Sequence, residues 1–292
     1  MRIWITGAAG FVGRRLSAHL SAAGHTVIGV DREVEITDPS AVVRSLARAC
    51  ADAIVHLAAM SSQADALRAP THAARVNYWG TRAVLEAARS EAPHARILLV
   101  TSGAVYGNSA LGAAPFRESA PLAPATPYAR SKACADLLGA RYAERGLDVV
   151  RVRPFNHTGP GQSPDFVAPG FARQVAAIAA GRSAPRLSVG NLNSVRDFLD
   201  VDDVVEAYRR LLDRGVPADV YNVASGVGRR IGDLLSELIA LAGARCEIEV
   251  DPERVRDTDT AVGDASRLRA LTGWEPRVTW RETLTRLLAA AA

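Results

Sequence analysis

Lysine is almost missing from this chain. Of its 35 Lys and Arg residues, 34 are arginine and one, Lys132, is lysine. A coding bias toward arginine explains the 34 but not the exception. Cysteine is scarce as well: Cys50, Cys134 and Cys246 are odd in number and far apart. That excludes a disulfide framework, and no cysteine has metal-ligand spacing, so reduced thiols, a cytoplasmic location and no metal are expected. Long apolar runs are absent, so no membrane span is expected. A strong charge excess is absent too. The balance is +4 with a pI near 9.2, and the basic residues are scattered, which argues against a nucleic-acid partner. The chain opens directly into the strand-like MRIWITG, so no secretory signal is read there.

What is present describes a soluble globule, with 48% hydrophobic and 23% charged residues. Short apolar runs alternate with helical patterns. RIWIT, TVIGVD, DAIVHLAA, RILLVTS and LDVVRVRP read as strands. FVGRRLSAHLSAAG, PSAVVRSLARAC, residues 71–92 and a segment from Tyr128 to about Gly146 read as helices. This rhythm predicts an α/β fold, a Rossmann doubly wound parallel sheet. It breaks after Pro154, where residues 155–195 are rich in Gly, Pro and Asn. The expected organisation is a dinucleotide-binding domain over 1–154, with 196–224 returning to its sheet. A smaller C-terminal α/β lobe over 155–195 and 225–292 would hold the substrate.

Two motifs point to chemistry. Gly7, Gly10 and Gly13 stand between the first strand and the first helix, with Phe11 and Val12 opening that helix. Such glycines allow a tight turn and the approach of a pyrophosphate to free helix N–H groups. Asp31 ends the second strand, where a carboxylate accepts from a ribose 2′-hydroxyl and repels a 2′-phosphate. NAD(H) is therefore favoured, while Arg32 beside it leaves NADP(H) open. The competing reading of Asp31 is an ordinary surface turn. The second motif is Tyr128-Ala-Arg-Ser-Lys132, whose ends share one helix face. An ammonium beside a phenol favours the phenolate and would lower its pKa, which suits proton exchange near neutrality. Arginine is too wide, planar and permanently charged for that place.

With both motifs together, nearly the whole chain resembles the extended short-chain dehydrogenase/reductases that act on nucleotide sugars. The resemblance implies a catalytic set of Ser102, in TSGAVYG, with Tyr128 and Lys132; Thr101 is the alternative hydroxyl. It implies cofactor contacts from Leu57, Ala58 and Ala59 after the third strand, from Asn77, and from Pro154. His56 is expected to be structural. RPFNHTGPGQSPDFV, VGNLNSVRDFLDVDDVV and DVYNVASG are most similar to the GDP-6-deoxy-D-mannose reductases and the GDP-mannose 4,6-dehydratases. That likeness implies a nucleotide-sugar substrate, with a GDP-sugar favoured, held by Asn156, Arg196, Arg256 and Asp259. Arg196 has a second reading, an ion pair with Asp197 or Asp200. The dehydratases carry a glutamate two residues after the Ser/Thr, where this chain has Ala104. Alanine cannot remove a proton, so reduction of a 4-keto sugar or C4 epimerisation is expected in preference to dehydration. The resemblance further implies a homodimer joined through residues 71–92 and the Tyr128 helix, with Ala133, Leu137, Leu138 and Ala140 facing either the partner or the core.

Overall fold

The computed structural model describes residues 1–251 and 258–292. In chain order the first half comprises β1 (Arg2–Thr6), α1 (Phe11–Ala22), β2 (Thr26–Val30), α2 (Pro39–Ala49), β3 (Ala53–His56), α3 (Gln63–Arg68), α4 (Pro70–Ala74), α5 (Thr81–Glu91), β4 (Arg96–Val100), α6 (Pro127–Glu144) and β5 (Val149–Pro154). The second half comprises β6 (Asn156–Thr158), α7 (Val167–Ala179), β7 (Arg186–Val189), β8 (Val195–Asp200), α8 (Val201–Arg214), β9 (Val220–Val223), β10 (Gly228–Arg230), α9 (Ile231–Ala242), β11 (Glu247–Val250), β12 (Thr260–Ala261), α10 (Ser266–Thr272) and α11 (Trp280–Ala291).

The main sheet is parallel, in the order β2-β1-β3-β4-β5-β9. Its strands are mostly apolar on both sides because helices cover both faces, with Arg151 and Arg153 of β5 as exceptions. Alternation along each strand assigns the faces. Ile3, Ile5, Val55 and Leu98 pack with Leu16 of α1 and Leu211 of α8. Trp4, Ile54, Ile97 and Leu99 pack on the other face with Leu46 of α2, Leu85 of α5 and Tyr142 of α6. The chain leaves β1 for β2 on one side and returns to β3 on the other. The crevice beyond the C-terminal ends of β1 and β3 is thus the topological switch point, where open α/β sheets bind ligands.

A second sheet runs β10-β8-β12, with β6 also paired to β8. Phe171, Leu187, Phe198, Leu234 and Leu284 form the core of this part. The return to the main sheet starts at α8 rather than at residue 196, because β8 bonds to β6, β10 and β12 instead.

Residues 71–92 are not one regular helix. A six-residue π-helical turn, Arg75–Gly80, separates α4 from α5. On α6, Ala133 is buried in the core, Leu138 packs against the second core cluster, and Leu137 projects outward at 55% exposure. Its apolar residues therefore serve two directions, as the 18-residue helix must face the sheet before anything else. Among the described residues no helix is long and apolar enough to cross a membrane. Among the same residues no group of His, Cys, Asp and Glu side chains could hold a metal ion.

Candidate active site

The glycine loop closes on itself. Gly10 N–H donates to the Gly7 carbonyl at 3.1 Å, and Ala8 N–H donates to Val30 O at 3.1 Å, tying the loop to β2. Gly7 has φ +72°, in the left-handed region that favours glycine. A Cβ at Gly13 would lie 2.1 Å from the Gly7 carbonyl oxygen, so α1 can approach the loop only without a side chain there. Gly10 is the N-cap of α1 and supplies no side-chain cap. The first-turn N–H groups and the helix dipole are thereby left for an anion, and Phe11 and Val12 stand in that turn.

Asp31 lies just past β2, and its carboxylate reaches back to the loop. Oδ2 accepts from Ala9 N–H at 3.1 Å and Oδ1 from Arg32 N–H at 3.0 Å. Arg32 is exposed. Leu57, Ala58 and Ala59 follow β3, where Leu57 N–H bonds Thr6 O at 3.2 Å and Ala58 N–H bonds Thr6 Oγ1 at 3.2 Å. Pro154 ends β5, buried and paired with Val223. Loop, helix start, Asp31 and the β3 end meet at the switch point. Together they fit a dinucleotide: a glycine cradle for the pyrophosphate and a carboxylate for the ribose.

α6 begins with Pro127 at its first turn and Thr126 as N-cap, whose hydroxyl accepts from Ala129 N–H at 3.1 Å. This places Tyr128 in the first turn and Lys132 one turn later. Lys132 is 7% exposed and its Nζ donates to Val100 O at 3.0 Å, at the end of β4. Burial pushes its pKa down to about 8. Two residues past Val100, Ser102 caps a short 3₁₀ turn, Gly103–Tyr106, by accepting from Ala104 N–H at 3.2 Å. The Tyr128 phenol is pushed up by burial, and its hydrogen bond with Ser102 opposes that shift. The structure thus brings Ser102, Tyr128 and Lys132 together at the tip of β4.

The expected lowering of the tyrosine pKa by Lys132 does not occur in this arrangement. The ammonium bonds a carbonyl, and desolvation of the phenol dominates. Tyr128 is thereby held protonated at neutral pH, as a proton donor must be. Thr101 is not an alternative to Ser102, because its hydroxyl is shared between Asp136 Oδ1 at 3.1 Å and Val152 O at 2.9 Å.

His56 is a tie between elements. Nδ1 meets Thr6 Oγ1 at 2.7 Å and Nε2 meets Thr81 Oγ1 at 3.0 Å. Burial, with Lys132 nearby, lowers its pKa to about 3, so it stays neutral. Asn77 sits in the π turn with its side chain fully committed. It accepts from Met60 N–H at 2.8 Å and donates to Met60 O at 3.2 Å and Ser131 Oγ at 2.9 Å. It therefore fixes the loop after β3 against α6 through internal bonds.

In the second lobe, β6 pairs with β8, which sets exposed Asn156 opposite Phe198 and near Arg196. Arg196 does form an ion pair, but with neither Asp197 nor Asp200. Its Nη2 lies 2.6 Å from Asp259 Oδ1, so two residues expected to hold substrate hold each other. Arg256 lies outside the described residues. Asp197 turns to the opposite side of β8 and accepts from Ser225 N–H, Ser225 Oγ, Gly226 N–H and Gly263 N–H at 2.7–3.3 Å. It pins the loop after β9 to the second lobe. Glu118, the last acid before the catalytic helix, is also occupied: its Oε1 accepts from Asn222 N–H at 2.8 Å.

Sequence reading missed the buried carboxylate Asp136 and its arginine partners. A signal was there: two arginines, Arg151 and Arg153, interrupt an otherwise apolar parallel strand, and such residues need an internal counter-charge.

Comparison with known proteins agrees with this architecture. The model of the NAD dependent epimerase/dehydratase family matches residues 3–224. The chain is 38% identical to the GDP-6-deoxy-D-mannose reductase of Pseudomonas aeruginosa, across 99% of this chain and 96% of that one. It is 32% identical to the UDP-glucose 4-epimerase of Mycolicibacterium smegmatis, across 98% and 97%. Among solved structures, RMD from Pseudomonas aeruginosa complexed with NADPH superposes with a TM-score of 0.93 at 35% identity, covering 100% of this chain and 99% of that one.

Proposed function

We propose that this chain, which belongs to the NAD dependent epimerase/dehydratase family, is a nucleotide-sugar 4-ketoreductase. At the coarser level it is an NAD(P)-dependent oxidoreductase of the extended short-chain dehydrogenase/reductase type. The substrate we favour is GDP-4-keto-6-deoxy-D-mannose, reduced to GDP-D-rhamnose. One observation carries the choice of reaction. Two residues after Ser102, with its N–H bonded to the Ser102 hydroxyl, stands Ala104, which carries no carboxylate, and Glu118 is held by Asn222. A proton donor and a polarising hydroxyl suffice for ketone reduction, whereas elimination of water from a hexose needs a further base.

In this reading Gly7, Gly10, Gly13 and the first turn of α1 hold the dinucleotide pyrophosphate, and Asp31 with Arg32 meets the adenosine ribose. The reduced nicotinamide, when bound, supplies the hydride. Tyr128 donates its proton to the C4 oxygen. Ser102 hydrogen-bonds that oxygen and stabilises the charge it gathers. Lys132 anchors the start of α6 to the end of β4, keeping phenol and hydroxyl on one point.

The test is a panel of nucleotide-4-ketosugars incubated with NADH or NADPH. We expect stoichiometric cofactor oxidation with GDP-4-keto-6-deoxymannose and no change in GDP-mannose incubated with NAD. Lacking general base help costs about 10²–10⁴-fold, so dehydration should stay below detection. A 4-keto-6-deoxy product from GDP-mannose would reveal a base elsewhere. Exchange between C4 epimers without net cofactor turnover would make the protein an epimerase.

Cofactor preference gives a second test. Asp31→Ala should lower the NADH-to-NADPH ratio of kcat/KM by about 10–100-fold, the worth of a hydrogen bond to a charged group. If the unaltered protein already binds NADPH far more tightly than NADH, Arg32 rather than Asp31 decides the site.

A further inference from the structure

We infer that a buried polar network centred on Asp136 is a positioning device that sets Ser102 against Tyr128, an inference that rests on reading these two as the reacting pair. Tyr128, Lys132 and Asp136 follow one another at four-residue spacing along one face of α6. Asp136 is completely buried. Its Oδ1 accepts from Arg153 Nε at 3.0 Å and Thr101 Oγ1 at 3.1 Å. Its Oδ2 accepts from Arg153 Nη2 at 2.6 Å and Arg151 Nη1 at 3.0 Å. Arg153 then reaches onward: Nη1 donates to the Tyr106 hydroxyl at 2.9 Å, and the guanidinium lies 5.0 Å from the Tyr106 ring centroid. The Tyr106 hydroxyl in turn donates to Asn222 Oδ1 at 2.7 Å.

The connectivity matters more than the number of bonds. Thr101 is the residue before Ser102. Tyr106 is the last residue of the turn that Ser102 opens. The helix that carries Tyr128 therefore grips the Ser102 segment from both sides, through a carboxylate two turns below the phenol. Burial opposes the charge on Arg153, and Asp136 more than restores it. A buried ion pair is seldom more stabilising than apolar packing of the same volume. What it adds over leucine is direction. Fixed donors and acceptors hold the strand tip and helix start in one register, and a misplacement of about 1 Å costs about 10²-fold in rate.

Asp136→Asn leaves two arginines facing a neutral amide, and that protein need not fold. The decisive variants each delete one hydroxyl and keep the volume: Thr101→Val and Tyr106→Phe. Both are outside the reacting set, and Tyr106 keeps its ring contacts with Phe116 and Phe155. Kinetics on the full protein, with active sites counted by cofactor titration, should show kcat lowered about tenfold in each variant. KM for cofactor and for nucleotide sugar should stay within twofold, and Thr101→Ser should restore kcat. Unchanged kcat with only a lower melting temperature would overturn the inference and leave the network structural. Raised KM at constant kcat would overturn it as well. If the unaltered protein interconverts C4 epimers instead of reducing ketosugars, the reductase reading fails on its own. The same kcat comparison, made on that reaction, then decides the positioning claim. An unaltered protein inert in both reactions would overturn both.

Discussion

Lys132→Arg should lower kcat by about 10³-fold while the protein remains folded. The magnitude is that of a general acid placed wrongly, within the 10²–10⁴-fold range for such groups. The cause is size and shape, not charge. Lys132 is 7% exposed, and its Nζ donates to Val100 O at 3.0 Å. A guanidinium brings five donors in a fixed plane to a place where, among the described residues, the ammonium meets one carbonyl. Overfilling a packed site costs about 1–3 kcal/mol, relieved by moving the start of α6, and Tyr128 moves with it. Single-turnover kinetics beside thermal unfolding separates the two effects. Near-native turnover with an intact melting transition would remove the explanation of the lone lysine. Lys132→Met, which keeps the stem and drops the ammonium, should lose a similar factor.

Gly13→Ala should abolish cofactor binding, with affinity for NADH and NADPH weakened by more than about 100-fold. Here the offending contact is backbone against backbone. The new Cβ would sit 2.1 Å from Gly7 O and 2.8 Å from two atoms of Ala8, and neither can rotate away. The loop must open, and the N–H groups of α1 then no longer converge on one anion. Gly10→Ala supplies the internal control. Its Cβ would lie 3.1 Å from Gly7 O, a contact that a shift of a few tenths of an ångström relieves, so it should bind at least tenfold more tightly than Gly13→Ala. Calorimetric titration of the three proteins checks the order. Equal affinities would mean that the cradle is not the pyrophosphate site.

Much of this was legible in short windows of sequence. The apolar runs in RIWIT and RILLVTS are read from adjacent residues, and the Tyr128–Lys132 pairing from residues four apart. The covalent chain fixes such spacings before any folding, so fold class, the glycine loop and the lone lysine could all be read there. The folded chain decided what those windows cannot hold. Thirty-four arginines face 31 acids, and no spacing rule says which will meet. Arg196 found Asp259, 63 residues away, because β12 lies beside β8. Arg153 found Asp136 because α6 packs over β5. Asn77 turned inward because the chain winds into a π turn between α4 and α5. Even the direction of the Tyr128 shift belongs to tertiary structure: the lysine is in the sequence, but burial of the phenol and the carbonyl that takes up the ammonium exist only once β4 and α6 have packed.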